Sequence, residues 1–433
     1  MSRSSLYKVA AVAALMPLVL TTACGGTTKD AAVTSAGSAP STGSAQSGEG
    51  SGQSGAGGGQ GPAVVLGASL SMTGPLGQFG VDLKTGYQQQ IKDLNAAGGL
   101  DIGGTKRPVT LTVLDNRSDP NTATQQIREL VLKDKAVALL GACTPPIVIP
   151  EALAAEQQKV PLVSSCNPVR AFQAGNASGW KYAWDLFFDE GDQATAVAKA
   201  LLMTSSNKKV AIFTDTEPDG VAERGLYKAA FKTAGLDVVG DYSFPVGTSD
   251  YSSFVSDAKS KGAQLLAGQM IPPDGIALWK QMKSLKFAPA AAFVAKASAG
   301  QSWTKALGPI AEGTLSDAFW SVASGKANSA QVGKALGQQF PNNLGDLNIA
   351  VLGYTVASIV TDGSKAAGST DPAKVNAAIG KTNADYLLGK IAFGDKHTAI
   401  TPYLVTQWQG GNTVQILPAD PPVKLQAPVK GLG

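Results

Sequence analysis

From Ala63 onward, short apolar runs rich in β-branched residues alternate with stretches whose apolar positions recur at helical spacing. That alternation is the pattern of α/β layers built on parallel sheets. AVVLGA (63–68), VTLTVLD (109–115), VALLG (137–141) and VPLVS (160–164) read as strands. Helices are predicted between them at about Val81 to Ala97, Asn121 to Lys133 and Pro146 to Gln158. The cycle then restarts with strands KVAIFTD (209–215), LDVVGDYSF (236–244), QLLAG (264–268) and AAFVA (291–295), and helices from Ala222 to Ala234 and Gly275 to Leu285. Helical patterns at Ser329 to Gln339, Leu347 to Thr361 and Pro372 to Ile379 lack intervening strands, so they are expected to pack back on the first lobe. The tail, including TPYLVTQWQ (401–409), is expected to return to the second. The fold class expected is α/β, with two Rossmann-like lobes on parallel central sheets, hinged by multiple crossovers. Lobe 1 would comprise 63–184 with about 322–392, and lobe 2 would comprise 185–321 with about 393–425. A cleft between the carboxyl edges of two such sheets is where α/β folds place ligands.

The N-terminal part is different in kind. Arg3 and Lys8 precede an apolar run from Val9 to Leu20, too short for the roughly 20 residues that a membrane-crossing helix needs. Thr21-Thr22-Ala23 then places small residues before Cys24. This segment resembles a bacterial lipoprotein signal peptide with its lipobox, which implies cleavage after residue 23 and acylation of Cys24. Thr21 stands where such signals usually carry leucine, and Leu20 lies one place too early, so ordinary signal cleavage near Ala23 stays open. Residues 24–62 are dominated by Gly, Ser, Ala and Thr, and read as a tether of about 35 Å root-mean-square span. If Cys24 carries lipid, Cys143 and Cys166 remain as an even pair outside the cytoplasm, where a disulfide between two loops is expected, against two unpaired buried thiols.

Composition narrows the chemistry. The chain of 433 residues is 44% hydrophobic and 16% charged, with a formal charge of +4, enough for two cores and with no clustered basic surface of the kind nucleic acids require. A single histidine, His397, rules out multi-histidine metal sites and leaves any histidine-based triad one possible base. No Gly-x-Ser-x-Gly elbow, His-Glu-x-x-His or Walker loop occurs. An enzyme is therefore not expected, nor any cofactor or metal, and nothing in the sequence signals an oligomer, so a monomer is expected.

Several segments in order carry a resemblance. SMTGPLGQFG (71–80), DLNAAGG (93–99), the D-x-x-x-DP of Asp115 to Pro120, LLGACT (139–144), VPLVSSCNP (160–168) and AEGTL (311–315) look like the type I periplasmic-binding fold. More narrowly, the chain resembles the leucine/isoleucine/valine-binding proteins of branched-chain amino-acid and amide ABC importers, over about Ala63 to Asp420. The resemblance implies an extracytoplasmic protein, lipid-anchored to the cell membrane, whose lobes close on one small polar solute such as an amino acid, amide or organic acid. The closed form would deliver that solute to an ABC permease. A ligand-sensing lipoprotein receptor of the same fold is the alternative.

The resemblance also places a pocket. Thr144 matches the position whose hydroxyl and amide hold a ligand carboxylate, although Pro145 and Pro146 follow and donate nothing; a plain helix N-cap stays open. Ser164, Ser165 and Asn167 lie on the loop that supplies further carboxylate contacts, and suit a turn equally well. Phe79 matches a position often aromatic against the ligand side chain, or it staples the first helix. Lys296 falls where amino-acid-binding relatives carry an acid for the ligand ammonium, and Asp219 falls where they often carry tyrosine. Lys296 and Asp219 could pair across the pocket, grip a zwitterion in the opposite orientation, or face solvent. Gln269 and Met270 would line the same wall.

Overall fold

A computed structural model describes residues 61–321, 328–341, 343–419, 423–427 and 429–433. The expected signal peptide (1–23), Cys24 and all of the tether but Gly61 and Pro62 lie outside the described residues.

In chain order the strands are β1 (Val64–Leu70), β2 (Leu100–Ile102), β3 (Thr105–Arg107), β4 (Val109–Asp115), β5 (Ala138–Leu140), β6 (Leu162–Ser165) and β7 (Ala183–Phe187), followed by β8 (Lys209–Asp215), β9 (Asp237–Phe244), β10 (Leu265–Met270), β11 (Ala291–Lys296) and β12 (Leu315–Ala318). The last five are β13 (Asn383–Tyr386), β14 (Gly389–Ala392), β15 (Thr398–Ile400), β16 (Leu404–Gln409) and β17 (Asn412–Leu417). One sheet has the order β15-β7-β6-β5-β1-β4 and is parallel throughout. The other has the order β17-β16-β12-β11-β10-β8-β9, parallel except that β16 runs antiparallel to its neighbours β12 and β17. Helices cover both faces of each, which is why strands such as VVLGASL, LLAGQM and AAFVAK are apolar runs rather than alternations.

The chain passes between the sheets three times: between β7 and the helix Glu190–Leu202, between β12 and the helices Ser329–Gly337 and Leu344–Ala367, and between β15 and β16. The expected boundaries at 184 and 392 therefore fall early, because β7 continues to Phe187 and the short β15 returns to the first sheet. β15 has only 3 residues, too few to show a period. The hairpins β2–β3 and β13–β14 were likewise not legible as strands.

Two helices of the first lobe set its geometry. The helix Leu344–Ala367 is long and apolar enough to cross a membrane, yet 83% of its most apolar window is buried inside the protein. It packs backbone to backbone on the helix Gly77–Ala96: a Cβ on Gly86 would stand 1.9 Å from the Ala350 carbonyl, and one on Gly353 2.5 Å from that of Leu83. This close approach fixes the start of the helix Gly77–Ala96, and with it Phe79, over the carboxyl edge of the first sheet. Gly86→Ala should therefore destabilise the protein by about 1–3 kcal/mol, read as a lower midpoint in denaturant unfolding; an unchanged midpoint would show that the helices can separate without cost.

Candidate functional site

At the carboxyl edges of both sheets lies a cavity lined by Phe79, Cys143, Thr144, Cys166, Pro168, Phe187, Phe188, Asp219, Gln269, Lys296, Ala299, Asp317, Phe319 and Ile349.

The first lobe contributes loops held from behind. Cys143 and Cys166 stand with Cα atoms 4.9 Å apart, within disulfide reach, and the Thr144 amide donates to the Cys166 carbonyl at 3.0 Å. Buried Glu151 accepts from the Ala142 amide at 2.9 Å, and Tyr87 donates to the Gly141 carbonyl at 2.6 Å. Thr144 opens the helix Pro145–Gln158, but its side chain caps nothing, and its Oγ1 is buried without a partner. An unsatisfied hydroxyl facing a cavity is costly in an empty site and useful in an occupied one.

The second lobe contributes charge. Lys296, at the end of β11 and 8% exposed, donates from Nζ to Glu217 and to Asp219 Oδ2, the latter at 3.1 Å. Gln269 donates to the same Asp219 oxygen at 2.7 Å, and the Lys296 amide donates to the Asp317 carboxylate at 3.3 Å. Carboxylate oxygens of Asp215, Glu217 and Asp219 lie within 4.8 Å of one another, a grouping able to hold a metal ion; the cation that meets them here is Lys296's own ammonium. Burial pulls the Lys296 ammonium down, but Asp219, Glu217 and Asp215 outweigh it and hold the group well above the ordinary lysine range. Burial pushes the Asp215 carboxyl up to about 7, with Lys296 pulling against it, and the Asp317 carboxyl up to about 6.

Three non-glycine residues with left-handed backbone line this one cavity: Thr144 (φ 73°), Cys166 (φ 65°) and Lys296 (φ 64°). Each costs on the order of 1–3 kcal/mol and persists where surrounding structure enforces it, as at binding sites.

The crossovers supply the floor. Phe187 and Phe188 at the first and Phe319 at the second touch one another, with ring centroids 4.4–5.6 Å apart. Tyr403 at the third stacks its edge on Phe188 at 5.0 Å. Every passage between the lobes thus feeds the same aromatic cluster.

Of the residues expected in the pocket, Phe79, Thr144, Asp219, Gln269 and Lys296 line the cavity. Lys296 and Asp219 are paired and buried rather than facing solvent. Ser164, Ser165, Asn167 and Met270 do not line it. The Ser164 hydroxyl donates inside the sheet to Asp185 at 2.7 Å, Met270 is packed in the core of the second lobe, and Ser165 and Asn167 are fully buried on either side of Cys166. Their neighbours Cys166 and Pro168 reach the cavity instead, a one-residue difference that motif matching does not resolve. Sequence reading missed Phe187, Phe188, Phe319, Asp317 and the Lys296 partner Glu217. The aromatic pairs in WDLFFDE and DAFW, at the very places where the chain changes lobes, were the available signal.

Buried Asp215, Asp317 and Glu151, the last pushed by burial up to about 8, all favour the protonated form in the folded protein. Their contribution to stability is complete below about pH 4 and is lost as pH rises through 6 to 8. The thermal midpoint should fall from about pH 5 to about pH 8, and Asp317→Asn should flatten the lower part of that slope; a midpoint rising over the interval contradicts the assignment.

Comparison with known proteins agrees with this architecture. The profile of the family described as periplasmic binding protein matches residues 63–412. The chain is 23% identical over 357 residues to Leu/Ile/Val-binding protein homolog 3 of Brucella melitensis, covering 81% of this chain and 93% of that one. Among solved structures, a leucine-binding protein LivK from Thermotoga maritima superposes with a TM-score of 0.72 at 22% identity, covering 81% of this chain and 97% of its own. An ABC-transporter solute-binding protein from R. palustris, in complex with 4-hydroxybenzoate, gives 0.69 at 21% identity, covering 85% and 98%. With its fold and the match over most of its length, the chain belongs to the periplasmic binding protein family, whose members are extracytoplasmic solute-binding proteins and not enzymes.

Proposed function

We propose that this protein is the extracytoplasmic solute-binding component of an ABC importer, which captures a small amino acid, amide or organic acid by closure of its two lobes and delivers it to a membrane permease. The observation that carries this reading is the cavity itself: residues of both lobes and of the crossovers enclose it, and side-chain oxygens at its wall lack partners. Such a site gains its contacts only when the lobes meet. A ligand shifts the balance between open and closed forms by its differential affinity, so closure and capture are one event. Phe79, Thr144, Asp219, Gln269 and Lys296 are the side chains assigned here to solute contact. The relatives' names as Leu/Ile/Val-binding and ABC-transporter proteins support the class of activity.

Cys24 is proposed as the acylated residue that tethers the domain to the membrane. Cys24→Ser should then move the protein from the membrane fraction to the soluble one in the expressing cells; an unchanged distribution rejects the anchor.

The solute-binding reading is tested by denaturing protein purified from cells and identifying what it releases by mass spectrometry. The released compound, added back, should contract the scattering envelope, and Phe79→Ala should weaken it by about tenfold or more, or at least 1.4 kcal/mol. Reconstituted with its permease, the loaded protein should stimulate ATP hydrolysis. A scattering curve unmoved by that compound, or recovery of the compound chemically changed, ends the proposal.

A further inference from the structure

We propose that the solute is a ring-bearing amine, its ring inserted between Phe79 and the crossover phenylalanines and its N–H donors on Asp219 and Gln269. This rests on the solute-binding reading above and narrows it to a chemical class.

The ring assignment comes from the apolar side of the cavity. Phe187, Phe188 and Phe319 form a mutually touching cluster, with Phe188 and Phe319 nearly parallel at 8°. Phe79 lines the same cavity from the first lobe, and among the described residues it has no ring partner. Aromatic rings prefer neighbours at centroid separations of roughly 4.5–7 Å. A planar ring entering the cavity completes contacts on both sides at once, joining the first lobe to the crossovers, whereas a branched aliphatic group meets flat surfaces on which it cannot interdigitate.

The head-group assignment comes from hydrogen-bond accounting. Asp219 Oδ1 and Gln269 Oε1 are buried without partners, and both residues line the cavity. They are acceptors only, so what they lack is donors. Asp219 is 2% exposed and Gln269 3% exposed, so both acceptors are shielded from bulk solvent. Charge points the same way. Asp215, Glu217, Asp219 and Asp317 surround one cation, Lys296, which already donates to Glu217 and Asp219. The lysine is therefore held by carboxylates of its own lobe, and the wall as a whole stays acidic. A carboxylate head placed there would face the free Asp219 oxygen and leave both acceptors unmet. An ammonium supplies donors and positive charge together.

Four probes separate the two halves of the proposal by calorimetry on the purified protein: phenethylamine, 3-phenylpropionate, isoamylamine and 4-methylpentanoate. Phenethylamine should bind at least tenfold more tightly than each of the others. Asp219→Asn and, independently, Gln269→Leu should each weaken it at least tenfold, with circular dichroism and unfolding midpoints confirming that each variant is folded; two folded variants that bind normally overturn the head-group assignment. Tighter binding of 3-phenylpropionate overturns the amine, and equal or tighter binding of isoamylamine overturns the ring. If none of the four binds while leucine or the compound released from the protein still closes it, the inference fails and the importer reading stands. If no solute closes it, both fail.

Discussion

The site is organised by the burial of one ammonium among carboxylates. Lys296 ends β11 with a left-handed backbone and meets Glu217 and Asp219, which follow β8, while its own amide is held by Asp317 from β12. Three strand ends of the second sheet are thereby tied at one point. Neither sign of charge could be buried here alone; the pairing is what allows the wall to exist. Because the carboxylates outnumber the cation, the wall keeps a negative excess that the rest of the cavity must answer.

The answering surface is apolar and mechanical. Two crossovers place phenylalanines in the cavity and the third backs them with Tyr403, so the elements that join the lobes also line the cavity. The first lobe adds Phe79, positioned by the tight glycine contact between helices, and Thr144, positioned by its amide hydrogen bond to the Cys166 carbonyl and by Glu151 behind it. The strain stored at Thr144, Cys166 and Lys296 is supported by these surroundings, which is the usual arrangement where a site must be ready before its ligand arrives.

The relation to the family is clear in the fold and modified in the pocket. The fold superposes on that of a leucine-binding protein with a TM-score of 0.72, and the family profile spans residues 63–412. The lysine at Lys296 looks in the sequence like a reversal of charge, yet its neighbours absorb it. A single substituted position therefore says little about the polarity of a site until its partners are known, since Coulomb interactions depend on what stands within a few ångströms.

The sequence by itself determined the layers, the two-lobe division and about a third of the cavity's lining, because apolar periodicity and loop motifs are local properties of the chain. Phe79, Thr144, Asp219, Gln269 and Lys296 were legible through the resemblance to solute-binding proteins that the loop motifs carry. The tertiary structure alone decided that Ser164 and Met270 turn inward, that Cys166 and Pro168 replace Ser165 and Asn167 at the wall, and that Phe187, Phe188 and Phe319 converge from separate crossovers. Orientation at a strand end changes by a full side with each residue, and convergence of distant segments depends on how the sheets are set against each other, which no local pattern encodes.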